Sequence, residues 1–175
     1  QYLDKVFDKI DTATYSYFEG SDSALYLDVY FPQEDLTTRR PLLLYVHGGG
    51  FRGGKRNSKR IHDFCKYMAE RGIVTATMEY NLWMKNGSFN CDYPGSKKRQ
   101  VFLKTGRDIS RAVNFIINKS EEWNIDTSKI VISGSSAGAE AVLHAAYWDE
   151  TRMDNDTTIL ISEFSYAGVI SMAGA

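Results

Sequence analysis

Residues 129–138 read KIVISGSSAG, in which a short apolar strand pattern runs into a turn of small residues. The run that follows, from Ala139 to Trp148, is typical of a helix. The turn therefore matches G-x-S-x-G between a strand and a helix, the setting in which this motif carries a nucleophilic serine. Glycine on both sides lets neighbouring backbone pass closely, because glycine has no Cβ. A turn of small residues can also serve packing alone, so the prediction of Ser136 as nucleophile needs a second motif.

The second motif also follows a predicted strand. Residues 41–46 read PLLLYV, a continuous apolar run that is typical of a parallel strand buried on both faces. They lead directly into HGGGF at residues 47–51. Glycines at such a position free backbone amides to face a substrate oxygen, although three glycines alone could form a flexible loop. Together the two motifs predict an acyl-transfer site.

This pair of motifs resembles that of the α/β-hydrolases, in the esterase/lipase branch that carries H-G-G-G and G-x-S-x-G. The resemblance covers nearly the whole chain. It implies an α/β-hydrolase fold with a mostly parallel sheet flanked by helices, and a single domain over residues 1–175. It also implies a serine carboxylic-ester hydrolase that forms an acyl-enzyme on a small-molecule ester, with short-acyl esters or acetyl esters of carbohydrate as the substrate class.

The same resemblance assigns roles to further residues. In this family the oxyanion is held by amides of the glycine loop and of the residue after the nucleophile. The corresponding residues here are Gly49, Gly50 and Ala137. Gly48 and His47 are expected to support the glycine loop.

Strands and helices alternate along the chain, as in an α/β fold. The predicted strands span residues 12–18, 24–31, 41–46, 73–80, 129–133 and 166–172, and the predicted helices span residues 58–71, 102–120 and 139–148. The first two strands are expected to form an antiparallel pair around a turn at residues 20–22, and residues 81–99 to form a long loop. The family often has Asp-Tyr-Arg-Leu after the fourth strand, whereas residues 79–82 read Glu-Tyr-Asn-Leu. An ion pair made by that arginine is therefore absent or replaced.

The residues that would activate the serine are harder to find. A serine is a weak nucleophile until a base takes its proton and a carboxylate orients the base. His47 belongs to the glycine loop, His62 lies far upstream near the start of a helix, and His144 lies eight residues beyond Ser136 on one helix. That last spacing corresponds to about 12 Å along the axis, so we do not expect the ring of His144 to reach the serine. We therefore expect the base and the acid outside this chain.

The last predicted strand raises a related question. A sheet that ends at residues 166–172 would expose an unpaired apolar edge, which natural proteins normally cover. We expect a fold truncated before its last strands, with further strands and the missing triad residues supplied by a longer gene product, or an oligomer that covers the edge. A rival hypothesis is a non-catalytic, hydrolase-like module for binding or assembly. Within the enzyme class, a serine peptidase of the same fold is an alternative.

Composition excludes some classes of function. The 175 residues are 43% hydrophobic and 25% charged, with a net charge of −1, which argues against a nucleic-acid partner. No run approaches the roughly 18 apolar residues of a membrane span, and no metal or cofactor is implied. The chain begins at Gln1 without a signal sequence. This fits a secreted or periplasmic protein after processing, and equally a trimmed cytoplasmic one.

Three weaker features have two interpretations each. Cys65 and Cys91 are compatible with a disulfide or with free thiols. The basic segment at residues 52–60 could attract an anionic substrate, or it could be a solvated entry to a helix. The aromatic rings of the loop at residues 81–99 could line a substrate mouth or cap the core.

Overall fold

A computed structural model describes residues 2–20, 24–87, 91–147 and 164–173. Within these residues, six strands and three helices are found. The strands are β1 (Ile10–Glu19), β2 (Ala24–Pro32), β3 (Arg40–Val46), β4 (Val74–Met78), β5 (Ile125–Ser135) and β6 (Gly168–Met172), and the helices are α1 (Lys59–Ala69), α2 (Gly95–Asn118) and α3 (Ala137–Tyr147). No helix in the described part of the chain is long and apolar enough to cross a membrane.

The strands form one sheet in the order β1-β2-β4-β3-β5-β6. The pairs β1–β2 and β2–β4 are antiparallel, and the other neighbours are parallel. In the register of β3 and β5, Val46 lies opposite Gly134. The carboxyl ends of these two strands therefore meet at one edge of the sheet, and both sequence motifs begin there. The mostly parallel sheet expected from the sequence is confirmed.

Helices cover both faces of the sheet. Cys65 and Ala69 of α1 pack with Tyr30 of β2 in a small cluster. The larger core contains residues of α2 and α3 together with Leu27 and Val29 of β2. Successive side chains of a strand point to opposite faces, so β2 is covered on both. The long apolar runs of the central strands follow from this arrangement.

The boundaries of the helices differ from the prediction, and α1 ends two residues earlier than expected. Helix α2 begins at Gly95, not at residue 102, so the loop expected over residues 81–99 is shorter. The prediction relied on apolar spacing, and the first buried residue of α2 is Val101, since the turns before it are polar and largely exposed. Helix α3 begins at Ala137, two residues earlier than expected. Residues 21 and 22 of the expected turn, and Trp148, lie outside the described residues.

We predict that Leu44→Ala lowers the free energy of unfolding by about 2–5 kcal/mol, because it leaves a cavity at a fully buried position in β3. Urea denaturation of the full-length protein measures this. Leu36→Ala is the matched control, since that side chain is 94% exposed and its loss should change stability by no more than about 0.5 kcal/mol. Equal changes in the free energy of unfolding for the two substitutions would contradict the burial of Leu44 in the core.

Candidate active site

Ser136 is the single residue that forms the tight turn between β5 and α3. Strand β5 ends at Ser135 and α3 begins at Ala137. The backbone of Ser136 has φ +52, a left-handed conformation that costs a non-glycine residue about 1–3 kcal/mol. Its N–H donates to the carbonyl of Met172 (2.9 Å), which ties the turn to β6. The side chain is exposed. These are the features of a nucleophile elbow, in which backbone strain presents the hydroxyl at the top of the sheet.

Close backbone contacts explain the two glycines of the elbow. A Cβ on Gly134 would lie 2.3 Å from the carbonyl carbon of Gly138. A Cβ on Gly138 would lie 2.2 Å from the carbonyl oxygen of Val46 and 2.7 Å from that of His47. Any side chain at either position would force the first turn of α3 away from β5 or from the end of β3. The two glycines of the G-x-S-x-G motif are thus required by packing.

The glycine loop at residues 47–51 passes directly beside the elbow. A Cβ on Gly48 would lie 2.8 Å from the carbonyl oxygen of Ser135 and 3.1 Å from Cβ of Ser136. Gly49 and Gly50 have φ +128 and +62, which favour glycine. The carbonyl of Gly49 turns into the loop, where it accepts hydrogen bonds from the amides of residues 52 and 53. The structure therefore brings the two sequence motifs into contact.

His47 is bound within the glycine loop. Its side chain is buried, and Nδ1 donates to the carbonyl of Gly48 (2.8 Å). The ring stacks on Tyr80 at 4.4 Å, and the hydroxyl of Tyr80 donates to the carbonyl of His47 (3.0 Å). Burial lowers the pKa of His47 below its ordinary value of 6.5. An imidazole that is buried and hydrogen-bonded to the loop backbone in this way is not placed to act as a base.

The other two histidines also have structural neighbours. His62 is exposed, with Nδ1 3.2 Å from the hydroxyl of Tyr30. The ring of His144 stacks on Phe102 at 4.5 Å, and burial lowers its pKa. Within the residues that the structure describes, no side chain hydrogen-bonds to Oγ of Ser136. Nor do the described residues contain a group of three or more His, Cys, Asp or Glu side chains that could hold a metal ion.

An open cavity of about 480 Å³ adjoins the serine. Its lining includes Ser135, Ser136, Tyr45, Ile61 and Phe64. The hydroxyl of Tyr45 donates to Oγ of Ser135 (3.0 Å), and its ring lies 5.4 Å from that of Phe64. A volume of this size and a largely apolar wall are typical of a pocket for a small organic ligand.

Part of the basic segment has a role that the sequence did not suggest. Arg56 lies in the middle of residues 52–60, yet its side chain is only 14% exposed. Its Nε lies 3.1 Å from Oδ1 of Asp28, and its guanidinium also pairs with Glu79. The hydroxyl of Thr77 donates to its carbonyl (3.3 Å). Arg56 therefore fastens the chain between the glycine loop and α1 to the sheet, and neither interpretation of the segment applies to this residue.

The cysteines and the aromatic loop can also be placed. Cys65 and Cys91 are free thiols, and burial raises the pKa of Cys65 to about 12. Trp83 is partly exposed, with the ammonium of Lys104 4.6 Å from its ring. Phe89 lies outside the described residues. The loop contacts the site through its backbone, since the amide of Met84 donates to the carbonyl of Phe51 (2.9 Å).

Comparison with known proteins agrees with this fold. Residues 27–175 match the family model described as BD-FAE. Gut esterase 1 of Caenorhabditis elegans is 29% identical over 156 residues, which are 89% of this chain and 26% of that protein. Two solved structures share the fold. Thermogutta terrifontis esterase 2 phosphorylated by paraoxon has a TM-score of 0.64 and 23% identity, over 85% of this chain and 52% of that one. The butyrate-bound Est2 structure from the same organism has a TM-score of 0.70 and 21% identity, over 91% and 52% of the two chains.

The fold and the paired motifs define an α/β-hydrolase of the carboxylesterase/lipase type, and the resemblance seen in the sequence is confirmed. Within that class, the chain belongs to the BD-FAE family. It spans about a quarter of the length of the gut esterase and about half of each Thermogutta chain.

We predict that Gly138→Ala destabilises the protein by about 3 kcal/mol or more, because the new Cβ would overlap the carbonyl oxygen of Val46. Urea denaturation of the full-length protein measures the change. The matched control is Gly53→Ala, at a glycine with nothing within 4 Å of an added Cβ, for which we expect a change within about 0.5 kcal/mol. If Gly138→Ala were as harmless as the control, the close packing of the elbow on β3 would be wrong.

We predict that the ring of His47 is mainly neutral at pH 6.5, where an unshifted imidazole would be half protonated, because burial disfavours the charged form. Since the unfolded state then binds more protons, the contribution of His47 to stability decreases as the pH falls below 6.5. The ¹⁵N chemical shifts of the ring, recorded by NMR across this range, report the protonation state. A half-protonated ring at pH 6.5 would contradict the buried, hydrogen-bonded placement.

Proposed function

We propose that the full-length protein is a serine carboxylic-ester hydrolase, with Ser136 as the nucleophile. The observation that carries this proposal is the strained conformation of Ser136 (φ +52) directly beside Gly48 of the glycine loop. Strained non-glycine residues cluster at functional sites, and this one lies within the G-x-S-x-G motif beside the glycine loop. We further propose that residues 1–175 belong to one hydrolase domain, because both motifs lie at the same edge of one sheet.

The reaction would proceed in two steps. Oγ of Ser136 attacks the ester carbonyl carbon and gives its proton to a base, and the carbonyl oxygen becomes an oxyanion. The amides of Gly49, Gly50 and Ala137 would hold this oxyanion, since Ala137 is the first residue of α3 and the first N–H groups of a helix have no partner within it. The C–O bond then breaks, the alcohol leaves with the proton, and an acyl-enzyme remains. Water attacks the acyl-enzyme in the same way and releases the acid.

The base and its carboxylate would come from outside the residues described here. His47 and His144 are engaged with Tyr80 and Phe102, which supports this part of the proposal. The proposed mechanism uses no metal or cofactor, because a base activates the serine hydroxyl and backbone amides hold the oxyanion.

Short acyl chains are the substrate class that we propose. The cavity beside Ser136 has apolar walls formed by Ile61 and Phe64, which suit a short hydrocarbon chain. The butyrate bound in the related Est2 structure is of this size. Acetyl esters of carbohydrate fit the same description, since an acetyl group is smaller still.

We predict that a fluorophosphonate probe labels the full-length protein at Ser136, as paraoxon phosphorylates the related Thermogutta esterase. Mass spectrometry of the labelled peptide locates the adduct. Ser136→Ala should abolish labelling, whereas Ser135→Ala is the matched control and should retain it, because Ser135 is the last residue of β5 and does not form the turn.

Assays with p-nitrophenyl butyrate and with a matching p-nitroanilide separate the remaining alternatives. Hydrolysis of the ester alone supports the proposal, and faster hydrolysis of the anilide would favour a peptidase. Absence of labelling and of hydrolysis in the folded, full-length protein would overturn the proposal in favour of a non-catalytic module.

A further inference from the structure

Asn81, which follows β4, makes a pair of hydrogen bonds to a single carboxylate oxygen. Its backbone N–H and its side-chain Nδ2 both donate to Oδ2 of Asp108, each at 3.0 Å. Asp108 lies on α2, whereas Asn81 follows β4. One carboxylate oxygen of Asp108 therefore fixes both the backbone and the side chain of Asn81.

Burial of the Asp108 carboxylate is energetically unfavourable. The side chain is fully buried, and desolvation raises its pKa despite the bonds from Asn81 and from Arg111, whose Nη1 lies 3.1 Å from Oδ1. Burial of a carboxylate costs several kcal/mol unless hydrogen bonds offset it. An apolar residue at position 108 would pack α2 without this desolvation penalty. We therefore expect Asp108 to have a role other than packing.

Tyr80, the residue before Asn81, connects this pair to the candidate active site. Its hydroxyl donates to the carbonyl of His47 (3.0 Å), and its ring stacks on that of His47 at 4.4 Å. The same carbonyl oxygen lies 2.7 Å from where a Cβ on Gly138 would be. Tyr80 thus contacts His47, the first residue of the glycine loop after β3. Gly138 in the first turn of α3 packs against the same carbonyl group. A shift of Tyr80 would move the loop relative to Ser136.

We propose that Asp108 is a positioning residue for the oxyanion loop: it fixes Asn81, and Asn81 in turn fixes Tyr80 against His47. This inference rests on the proposed function. Asp108 does not touch the substrate, and it acts on the reaction only through the placement of the amides of Gly49 and Gly50. Its carboxylate anchors Asn81 from the side of α2.

Disturbing these contacts should raise the free energy of the transition state more than that of the bound ester. Complete removal of one oxyanion donor costs about 10²–10³ in kcat. A displaced loop weakens its donors without removing them, so Asp108→Asn should lower kcat by about 10- to 100-fold. Because the ground-state ester does not depend on these amides, KM should change by less than about twofold.

The experiment uses the full-length protein with p-nitrophenyl butyrate and a trifluoromethyl ketone, which forms a tetrahedral adduct with a nucleophilic serine. Asp108→Asn should weaken binding of the ketone by the same factor by which it lowers kcat. The matched control is Asp126→Asn, which alters another buried aspartate, paired with Arg39 near the start of β5 and distant from the elbow. The control should leave kcat and the affinity for the ketone within about twofold of the wild type.

Tyr80→Phe tests the proposed route. It keeps the ring and removes only the hydrogen bond to the carbonyl of His47. If Asp108 acts through Tyr80, the double variant should be no more than about threefold slower than the slower single variant. Fully additive losses, a loss confined to KM, or an unchanged kcat in Asp108→Asn would each overturn the inference.

Amide hydrogen exchange separates this inference from the proposed function. Asp108→Asn should speed exchange at residues 47–51 and leave the amides of β1 unchanged, whether or not the protein hydrolyses esters. An inactive wild type with this exchange pattern would overturn the ester hydrolase and retain the anchoring of the loop. Unchanged exchange in a protein that hydrolyses the ester would overturn the anchoring alone. If Asp108→Asn does not fold, Tyr80→Phe provides the same exchange test, and unchanged protection of residues 47–51 in that variant overturns the inference.

Discussion

The contact between the start of α3 and the end of β3 determines the rest of the site. Gly138 lies so close to the carbonyl oxygens of Val46 and His47 that no side chain fits between them. This contact joins two motifs that are far apart in the sequence. It places Ser136 beside Gly48 and sets the direction in which α3 leaves the sheet. The parallel pairing of β3 with β5 makes the contact geometrically accessible, because both strands end at the same edge.

Two of the six described non-glycine residues with a positive φ lie on the two sides of that contact. Ser136 has φ +52 in the elbow and Phe51 has φ +57 at the end of the glycine loop. Such conformations cost about 1–3 kcal/mol each for residues other than glycine. At Phe51 the cost is offset by complete burial of the ring, which packs 5.6 Å from Phe102 of α2. At Ser136 the side chain is exposed and no comparable burial is found, so packing of the side chain does not offset the strain there.

The sequence predicts the parts of the site that are local in the chain. The elbow and the glycine loop are recognisable because each is a short motif after an apolar strand, and backbone geometry requires glycine at fixed positions. Contacts between distant residues could not be predicted in this way. The pairing of Arg56 with Asp28 and Glu79 depends on which strands lie side by side. The bond between Asn81 and Asp108 depends on how α2 docks, and the polar first turns of α2 gave no periodic signal for where that helix begins.

We propose that the elbow and the glycine loop form one oxyanion site around Ser136. A crystal structure of the full-length protein after reaction with a phosphonate ester tests it most directly, because the phosphoryl oxygen occupies the position of the oxyanion. We expect phosphorus bonded to Oγ of Ser136, with the phosphoryl oxygen about 3 Å from the amide nitrogens of Gly49, Gly50 and Ala137. An adduct on another residue, or a phosphoryl oxygen directed away from the glycine loop, would contradict it.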